Sequence, residues 1–165
     1  MRAHRTVLGA ALLALLLPTL AAAVFSEGSA QWVFTADRPR QNHPAHLDLV
    51  AVVPTDMPQA VVCAVYSNNL PKANKGVVET VIAFDRVGGT QGSFRRRTDV
   101  RNHRAMPPCV NLSQGLTRGD IVSFSFDMSR FQKLKKKRND TFTAFGAVYP
   151  DQASAQAALL ARFGG

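Results

Sequence analysis

The chain has 165 residues, with 20 Lys or Arg against 11 Asp or Glu and a formal net charge of +9 at pH 7. This length suits a single domain, and no internal repeat or long disordered tract divides it. The excess of positive charge favours encounter with anionic surfaces such as nucleic acid, lipid head groups or acidic glycans, without selecting one of them.

The first 23 residues have the three parts of a secretory signal peptide. A short basic head precedes an apolar run over residues 7–20, and Ala21 to Ala23 supplies small residues for cleavage before Val24. An uncleaved amino-terminal anchor is the alternative, since the run and its flanking residues approach the roughly 20 residues that span a bilayer. We expect cleavage and export to the periplasm or the cell exterior, leaving residues 24–165 as one domain.

The two cysteines, Cys63 and Cys109, both lie in the expected mature chain. An even number of cysteines in an exported chain indicates a disulfide. The bridge closes a loop of about 46 residues, which stabilises by on the order of 4 kcal/mol in the chain-entropy model. A pair of catalytic thiols is the alternative, but the CxxC spacing that lowers a thiol pKa is missing.

Seven short segments have the composition and alternation of β-strands. The clearest is 121–128, where large apolar residues alternate with Ser and Asp. Residues 46–53 alternate at first and then become wholly apolar, as in a central strand covered on both faces. In chain order, the seven candidates are 32–36, 46–53, 59–66, 77–84, 93–100, 121–128 and 141–149.

The chain ends in a different kind of element. Residues 151–163 are rich in alanine and stop at two glycines, which predicts a short helix capped by Asp151. Its apolar residues Leu159, Leu160 and Phe163 can pack on an open face of the strands.

This succession of strands predicts a mainly β fold: an immunoglobulin-like antiparallel β-sandwich of about seven strands with a short C-terminal helix. If strands 121–128 and 141–149 pair as a hairpin, residues 129–140 form its loop. The predicted core comprises Val50, Val52, Val61, Val65, Ile82, Phe84, Val122, Phe124, Phe126 and Phe142.

Two groups of basic residues are candidates for binding an anion. Clustered lysines favour phosphate or sulfate contacts, although a solvated loop is the alternative. Arginine suits bidentate capture of phosphate or carboxylate, although an edge strand protected from aggregation by charge is the alternative. The first group is Lys133, Lys135, Lys136, Lys137 and Arg138; the second is Arg95, Arg96, Arg97 and Arg101.

No motif predicts a metal ion or a small-molecule cofactor. His43 and His46 have a two-residue spacing, which is a weak signal, and Pro44 opposes a helix that would align them. The tripeptide Arg118-Gly119-Asp120 matches an integrin-binding motif, but we interpret it as a turn before a strand.

The chain also lacks a GxSxG nucleophile elbow and an HExxH helix. The most economical enzyme hypothesis is a secreted phosphodiester hydrolase similar to a ribonuclease. Glu79 is then the base, His103 the acid, and one of Arg95 to Arg97 stabilises the charged phosphorane.

These observations favour an exported, non-enzymatic binding or adaptor domain whose basic surface contacts an anionic polymer, a membrane surface or a protein. The phosphodiester hydrolase is the first alternative. The second is a structural subunit of an envelope or secreted assembly, in which edge strands pair with neighbours.

Overall fold

The computed structural model describes residues 23–34, 45–69, 76–99, 104–105, 109–128 and 138–164. Within them the chain forms nine strands and one helix. The elements are β1 (Val24–Phe34), β2 (Ala45–Val52), β3 (Ala60–Asn68), β4 (Val77–Asp85), β5 (Gln91–Asp99), β6 (Arg104–Ala105), β7 (Val110–Leu112), β8 (Ile121–Met128), β9 (Arg138–Tyr149) and α1 (Gln152–Phe163).

The strands form two antiparallel sheets. The first has the order β1-β9-β3-β6, with β7 also paired to β3, and the second has the order β2-β8-β4-β5. An immunoglobulin-like sandwich keeps its first two strands side by side in one sheet. Here β1 and β2 lie in different sheets, so this strand order differs from the expected connectivity.

The last two strands do not form the hairpin considered from the sequence. Strand β8 pairs with β2 and β4, whereas β9 pairs with β1 and β3. Each strand already has a neighbour on both sides, so the two cannot pair with each other. Residues 129–137 therefore connect the two sheets.

The main core lies between the two sheets. Its largest side chains include Tyr66, Phe124, Phe126 and Phe142, all at most 2 % exposed. Gly146 of β9 packs against Phe124 so closely that a Cβ at this position would overlap the ring. The absence of a side chain on one sheet thus makes room for an aromatic ring from the other.

A second core covers the outer face of the first sheet. Helix α1 places Ala155 and Leu159 against this face, and Phe163 packs beside them. Strand β3 is consequently buried on both faces from Ala60 to Tyr66. Within the described residues, no helix is long and apolar enough to cross a bilayer.

The ends of the helix follow the sequence prediction. The Asp151 side chain accepts a hydrogen bond of 2.7 Å from the Ser154 N–H, and the backbone N–H of Gly164 donates to the Leu160 carbonyl. The prediction for Leu160 itself was wrong, because this side chain is 58 % exposed. One residue along a helix turns the side chain by 100°, so adjacent leucines cannot share a face.

The predicted disulfide is confirmed. Cys63 of β3 is bonded to Cys109, which directly precedes β7, and their Cα atoms lie 4.4 Å apart. Cys63 is fully buried in the second core, so the bridge fastens the start of β7 to the sheet beneath the helix.

The predicted core requires two corrections. Val50 and Val52 are each 56 % exposed, because β2 is an edge strand whose outer face is open. Val61 and Val65 are buried, but in the second core under α1. Phe84 is half-buried, while the remaining predicted residues, Ile82, Val122, Phe124, Phe126 and Phe142, belong to the main core.

The observed strand boundaries differ from the predicted ones mainly where the alternation of apolar and polar residues is weak. Strand β1 begins at Val24, eight residues before the predicted start, because its whole length pairs with β9. The short strands β6 and β7 were not predicted, and both are held by pairing with β3. Two or three residues are too few for a period of two to stand out.

One end of the sandwich, here called the turn end, is closed by residues 53–59, 86–90 and 113–120. The buried carboxylate of Asp120 accepts backbone hydrogen bonds of 2.8 Å from Val87 and from Thr117. Met57 and Leu116 exchange two backbone hydrogen bonds. The tripeptide that ends at Asp120 is therefore a turn, as predicted, and its carboxylate is engaged inside the protein.

Candidate anion-binding site

The opposite end of the sandwich, here called the loop end, is where four connecting segments leave the described strands. In three strand pairs the last residue of one strand faces the first residue of the other. The pairs are Phe34 with Arg138, Met128 with Ala45, and Asp99 with Val77.

The two sheets both have one of their ends at the loop end. The turns at the turn end join β2 to β3 and β7 to β8 across the sheets, so the far ends of both sheets lie together. The Tyr66 hydroxyl near the end of β3 donates to the Asp99 carbonyl at the end of β5, at 3.5 Å. All four segments, 35–44, 70–75, 100–103 and 129–137, therefore start and finish at the loop end.

The sequences of these four segments hold ten basic residues and one acidic residue, Asp37. The described residues, in contrast, carry ten acidic residues and eight arginines. The positive excess of residues 24–165 therefore belongs to the segments that are attached to the loop end. The ten residues are Arg38, Arg40, Lys72, Lys75, Arg101, Arg130, Lys133, Lys135, Lys136 and Lys137.

The two predicted basic groups adjoin this same end. Arg101 and the four lysines of the first group lie outside the described residues. Arg138 opens β9 opposite Phe34, and its side chain also lies outside them. Strand β5, which carries Arg95 to Arg97, runs toward the loop end and finishes two residues before Arg101.

Arg95 and Arg97 share one carboxylate. The Arg97 Nε atom lies 2.6 Å from Glu79 Oε2, and the Arg95 Nε atom lies 3.3 Å from Glu79 Oε1. The hydrogen bond from Arg97 lowers the pKa of Glu79, and the charge of Arg95 acts in the same direction. Glu79 thus stays ionised and neutralises half of the charge that the two arginines offer to an anion.

Arg96 faces the other way, because successive side chains of a strand point to opposite faces. Its charge acts on Tyr66 of the first sheet, where burial raises the pKa of the phenol to about 12. The three consecutive arginines therefore divide between two surfaces, and Arg95 and Arg97 alone share one.

A histidine, an aspartate and a serine also lie on the outer face of the second sheet. His46 Nε2 is 2.8 Å from Asp48 Oδ2 and 3.5 Å from Ser125 Oγ. In a catalytic triad the aspartate and the serine bind opposite ring nitrogens of the histidine. Here both face the same nitrogen, which is the wrong geometry for activating Ser125.

No protein-family model matches the chain, and no curated protein does. Function must therefore be inferred from the residues and their placement.

The basic residues that sequence reasoning missed are isolated ones. Arg38, Arg40, Lys72, Lys75 and Arg130 form no run, so none is conspicuous alone. Each lies in a segment between two strands that meet at the loop end. The signal that unites them is the strand order, which depends on contacts between residues far apart in the chain.

Proposed function

We propose that the chain is an exported, non-enzymatic binding domain whose loop end contacts an anionic polymer such as nucleic acid or an acidic glycan. One observation carries this proposal: ten of the eighteen basic residues that follow residue 23, with one acidic residue, belong to four connecting segments that are attached to the same end of the sandwich. Binding there releases the counterions of the polymer, which favours association at low salt. The described residues carry a slight excess of acidic over basic residues, whereas the segments at the loop end are basic. This difference orients the protein as it approaches an anionic polymer.

Export is part of the same proposal. The disulfide between Cys63 and Cys109 fits an oxidising compartment. Cleavage before Val24 would release the chain at the first residue of β1 and leave all nine described strands intact.

The finer fold class is also a proposal. The orders β1-β9-β3 and β2-β8-β4-β5, in which most consecutive strands alternate between sheets, fit two Greek keys wound into a double-sheet jelly roll. This arrangement accounts for the observed pairing better than the immunoglobulin-like connectivity does.

The direct test is binding of the purified, oxidised protein to heparin, single-stranded RNA and anionic vesicles over a series of salt concentrations. We expect binding to the polymers with a steep salt dependence. Changing Lys133, Lys135, Lys136 and Lys137 to Gln should reduce the slope of log K against log salt by up to about 3. Vesicle binding without polymer binding would replace the proposed partner by a membrane surface.

A matched pair of single substitutions tests which end of the sandwich contacts the polymer. Lys135→Gln changes the segment that joins β8 to β9 at the loop end, and Arg118→Gln changes an exposed residue at the turn end; each removes one positive charge. Only the first should weaken binding if the loop end is the contact surface. An equal loss from both substitutions, or no polymer binding at physiological salt, would overturn the proposal.

The hydrolase alternative has less support from the described residues. Its proposed base, Glu79, is held by Arg97 and has a lowered pKa, which makes the carboxylate a weaker proton acceptor. Its proposed acid, His103, lies outside the described residues. Ribonuclease or deoxyribonuclease activity that is lost in a Glu79→Gln variant would revive this alternative.

A further inference from the structure

The inner side of β5 projects beyond the core between the two sheets. Strand pairing places four inward residues in one row across β2, β8, β4 and β5, namely Leu49, Phe124, Ile82 and Phe94. The first three side chains are at most 6 % exposed, whereas Phe94 is 40 % exposed. In this row the core therefore ends at β4, and the inner side of β5 is partly open to solvent.

The arrangement of the first sheet explains this exposure. Strand β2 packs beside β1 and β9, so β5 lies on the side of the sandwich where the first sheet ends in β6 and β7. These two strands have two and three residues, and strands of this length cannot cover all nine residues of β5. The inward residues of β5 and the neighbouring aromatic residue of β4 are here called the β5 lip: Phe84, Gly92, Phe94, Arg96 and Thr98.

Two aromatic rings form the middle of the β5 lip. The ring centroids of Phe84 and Phe94 lie 6.2 Å apart, and their planes are inclined by 37°. Gly92 makes room for this arrangement, because a Cβ at this position would overlap the Phe84 ring. The guanidinium carbon of Arg86 lies 5.4 Å from the centroid of the same ring. Phe84 is thus packed against Gly92 and Arg86, and Phe94 is the more exposed of the two aromatic side chains.

Basic residues lie on both sides of the two rings. Arg86 directly follows β4, and Arg96 lies two residues from Phe94 on the same side of β5. Asp99 limits the positive charge near Arg96, since both lie near Tyr66 and their charges act on the phenol in opposite directions. The β5 lip therefore offers aromatic surface more than charge, and the basic segment 100–103 continues from it at the loop end.

An exposed aromatic ring beside a basic segment fits a nucleotide base better than it fits an acidic sugar. Every base has a planar face that can stack on an aromatic side chain, whatever the base sequence. In a duplex these faces are already stacked on neighbouring base pairs, whereas a single strand leaves them accessible. Among anionic polymers, the β5 lip therefore favours a single-stranded nucleic acid.

We propose that the polymer bound at the loop end is a single-stranded nucleic acid, and that one of its bases stacks on Phe94. This inference rests on the function proposed above, since the loop-end segments supply the phosphate contacts. The nucleic acid follows the β5 lip from the loop end toward Phe84. Stacking adds affinity without adding phosphate contacts, so it leaves the slope of log K against log salt unchanged.

The length of β5 sets the length of the probe. Phe94 lies five residues before the end of β5, which is roughly 17 Å from the loop end. A stacked strand rises about 3.4 Å per nucleotide, so about 12 nucleotides span roughly 40 Å. An oligonucleotide of this length reaches both the loop end and Phe94.

Fluorescence anisotropy with the oxidised protein, expressed from the full chain, tests the stacking contact. The probes are an oligothymidylate of about 12 nucleotides and an abasic strand of equal length, which has the same phosphates but no bases. We expect wild type to bind the oligothymidylate at least about fivefold more tightly than the abasic strand. In Phe94→Leu this difference should disappear, while the salt slope and the affinity for heparin stay unchanged. Phe94→Trp should retain the difference, because it retains an aromatic face.

Phe25→Leu is the matched control. Phe25 is also an exposed phenylalanine, but it lies on the first sheet, where it packs beside Phe145 and Tyr149. Its substitution should leave the affinities for both strands unchanged. Circular dichroism and the melting temperature establish that each variant is folded. If Phe94→Leu is unfolded, Phe94→Met replaces it, since methionine keeps a long apolar side chain without a ring.

The outcomes separate this inference from the function on which it rests. Binding of heparin alone, or equal affinities of wild type for the two strands, would overturn the stacking contact and leave the loop-end function intact. A difference between the strands that persists in Phe94→Leu would also overturn it, because the bases would then contact another part of the protein. Binding of neither strand and no heparin would refute the loop-end function and the stacking contact together.

Discussion

The Oδ1 atom of Asp120 accepts a hydrogen bond of 2.8 Å from the backbone N–H of Val87, which lies 33 residues earlier. The other carboxylate oxygen accepts an equally short bond from the backbone of Thr117. Asp120 is 1 % exposed, and its removal takes the side-chain acceptor away from both N–H groups. We expect Asp120→Ala to lower the free energy of unfolding by about 3 kcal/mol, measured by urea denaturation.

Asp56 provides the control for this prediction. Its carboxylate accepts a bond of the same length from the backbone of Arg118, but at an exposed position where water can replace it. Asp56→Ala should therefore cost less than about 1 kcal/mol. Similar losses from the two variants would show that the burial of Asp120 adds nothing to its hydrogen bonds.

The disulfide supports a second prediction. Replacing Cys63 and Cys109 together by Ala opens a loop with a sequence separation of 46 residues. We expect the free energy of unfolding to fall by about 4 kcal/mol, because the unfolded chain regains the entropy that the bridge removed. Wild type in excess dithiothreitol should melt at the temperature of the double variant. If reduction leaves the melting temperature unchanged, the bridge contributes no stability.

The adjacent leucines of α1 form a natural matched pair. Leu159 is 9 % exposed and packs in the second core, whereas Leu160 is 58 % exposed. We expect Leu159→Ala to cost about 2 to 4 kcal/mol, because it removes buried methyl groups and leaves a cavity. Leu160→Ala should change stability by less than about 0.5 kcal/mol. Equal effects in thermal unfolding would contradict the docking of the helix through Leu159.

Local patterns account for most of the elements that could be predicted. Strand β8 alternates large apolar residues with small polar ones, and this pattern places Val122 and Phe124 in the core as expected. The terminal helix has a capping aspartate and a terminal glycine, and both perform these roles. The even cysteine count likewise predicts the disulfide correctly.

Strand order could not be predicted in the same way. The position of β9 between β1 and β3 depends on pairing across more than 100 residues, as in Val24 with Val148. The same lack of long-range information misled the assignment of β2. Its continuous apolar stretch resembles a central strand, yet β2 is an edge, and Val50 and Val52 face outward. The placement of the basic segments at one end of the sandwich follows from this strand order. It therefore could not be predicted from the sequence either.

Close packing between the sheets supports a fourth prediction. A methyl group at position 146 would overlap the ring of Phe124, which is fully buried and cannot move aside. We expect Gly146→Ala to cost about 1 to 3 kcal/mol in chemical denaturation. Gly88→Ala is the control, since nothing lies within 4 Å of a Cβ built there. Recovery of stability in Gly146→Ala with Phe124→Leu would establish the overlap as the cause, and no recovery would exclude it.

The carboxylate of Glu79 limits how well its two arginines can bind an anion. Both guanidinium groups now face a carboxylate, at 2.6 Å for Arg97 and 3.3 Å for Arg95. We expect Glu79→Gln to strengthen heparin binding, because Arg95 and Arg97 become available to sulfate groups. Isothermal titration over a salt series should show a slope of log K against log salt that is steeper by about 1.

Asp85→Asn separates this effect from a general change of charge. Asp85 lies on the same strand and the same outer face as Glu79, so the substitution removes one negative charge without releasing Arg95 or Arg97. The gain from Glu79→Gln should exceed that from Asp85→Asn at pH 7 and also at pH 5. Arg97 holds the pKa of Glu79 below its ordinary value of 4.5, so the carboxylate remains ionised at both pH values. The gain should fade only as the pH falls through that lowered pKa, where wild-type Glu79 becomes protonated and releases the arginines itself. Equal gains from the two variants would mean that Arg95 and Arg97 do not contact the anion.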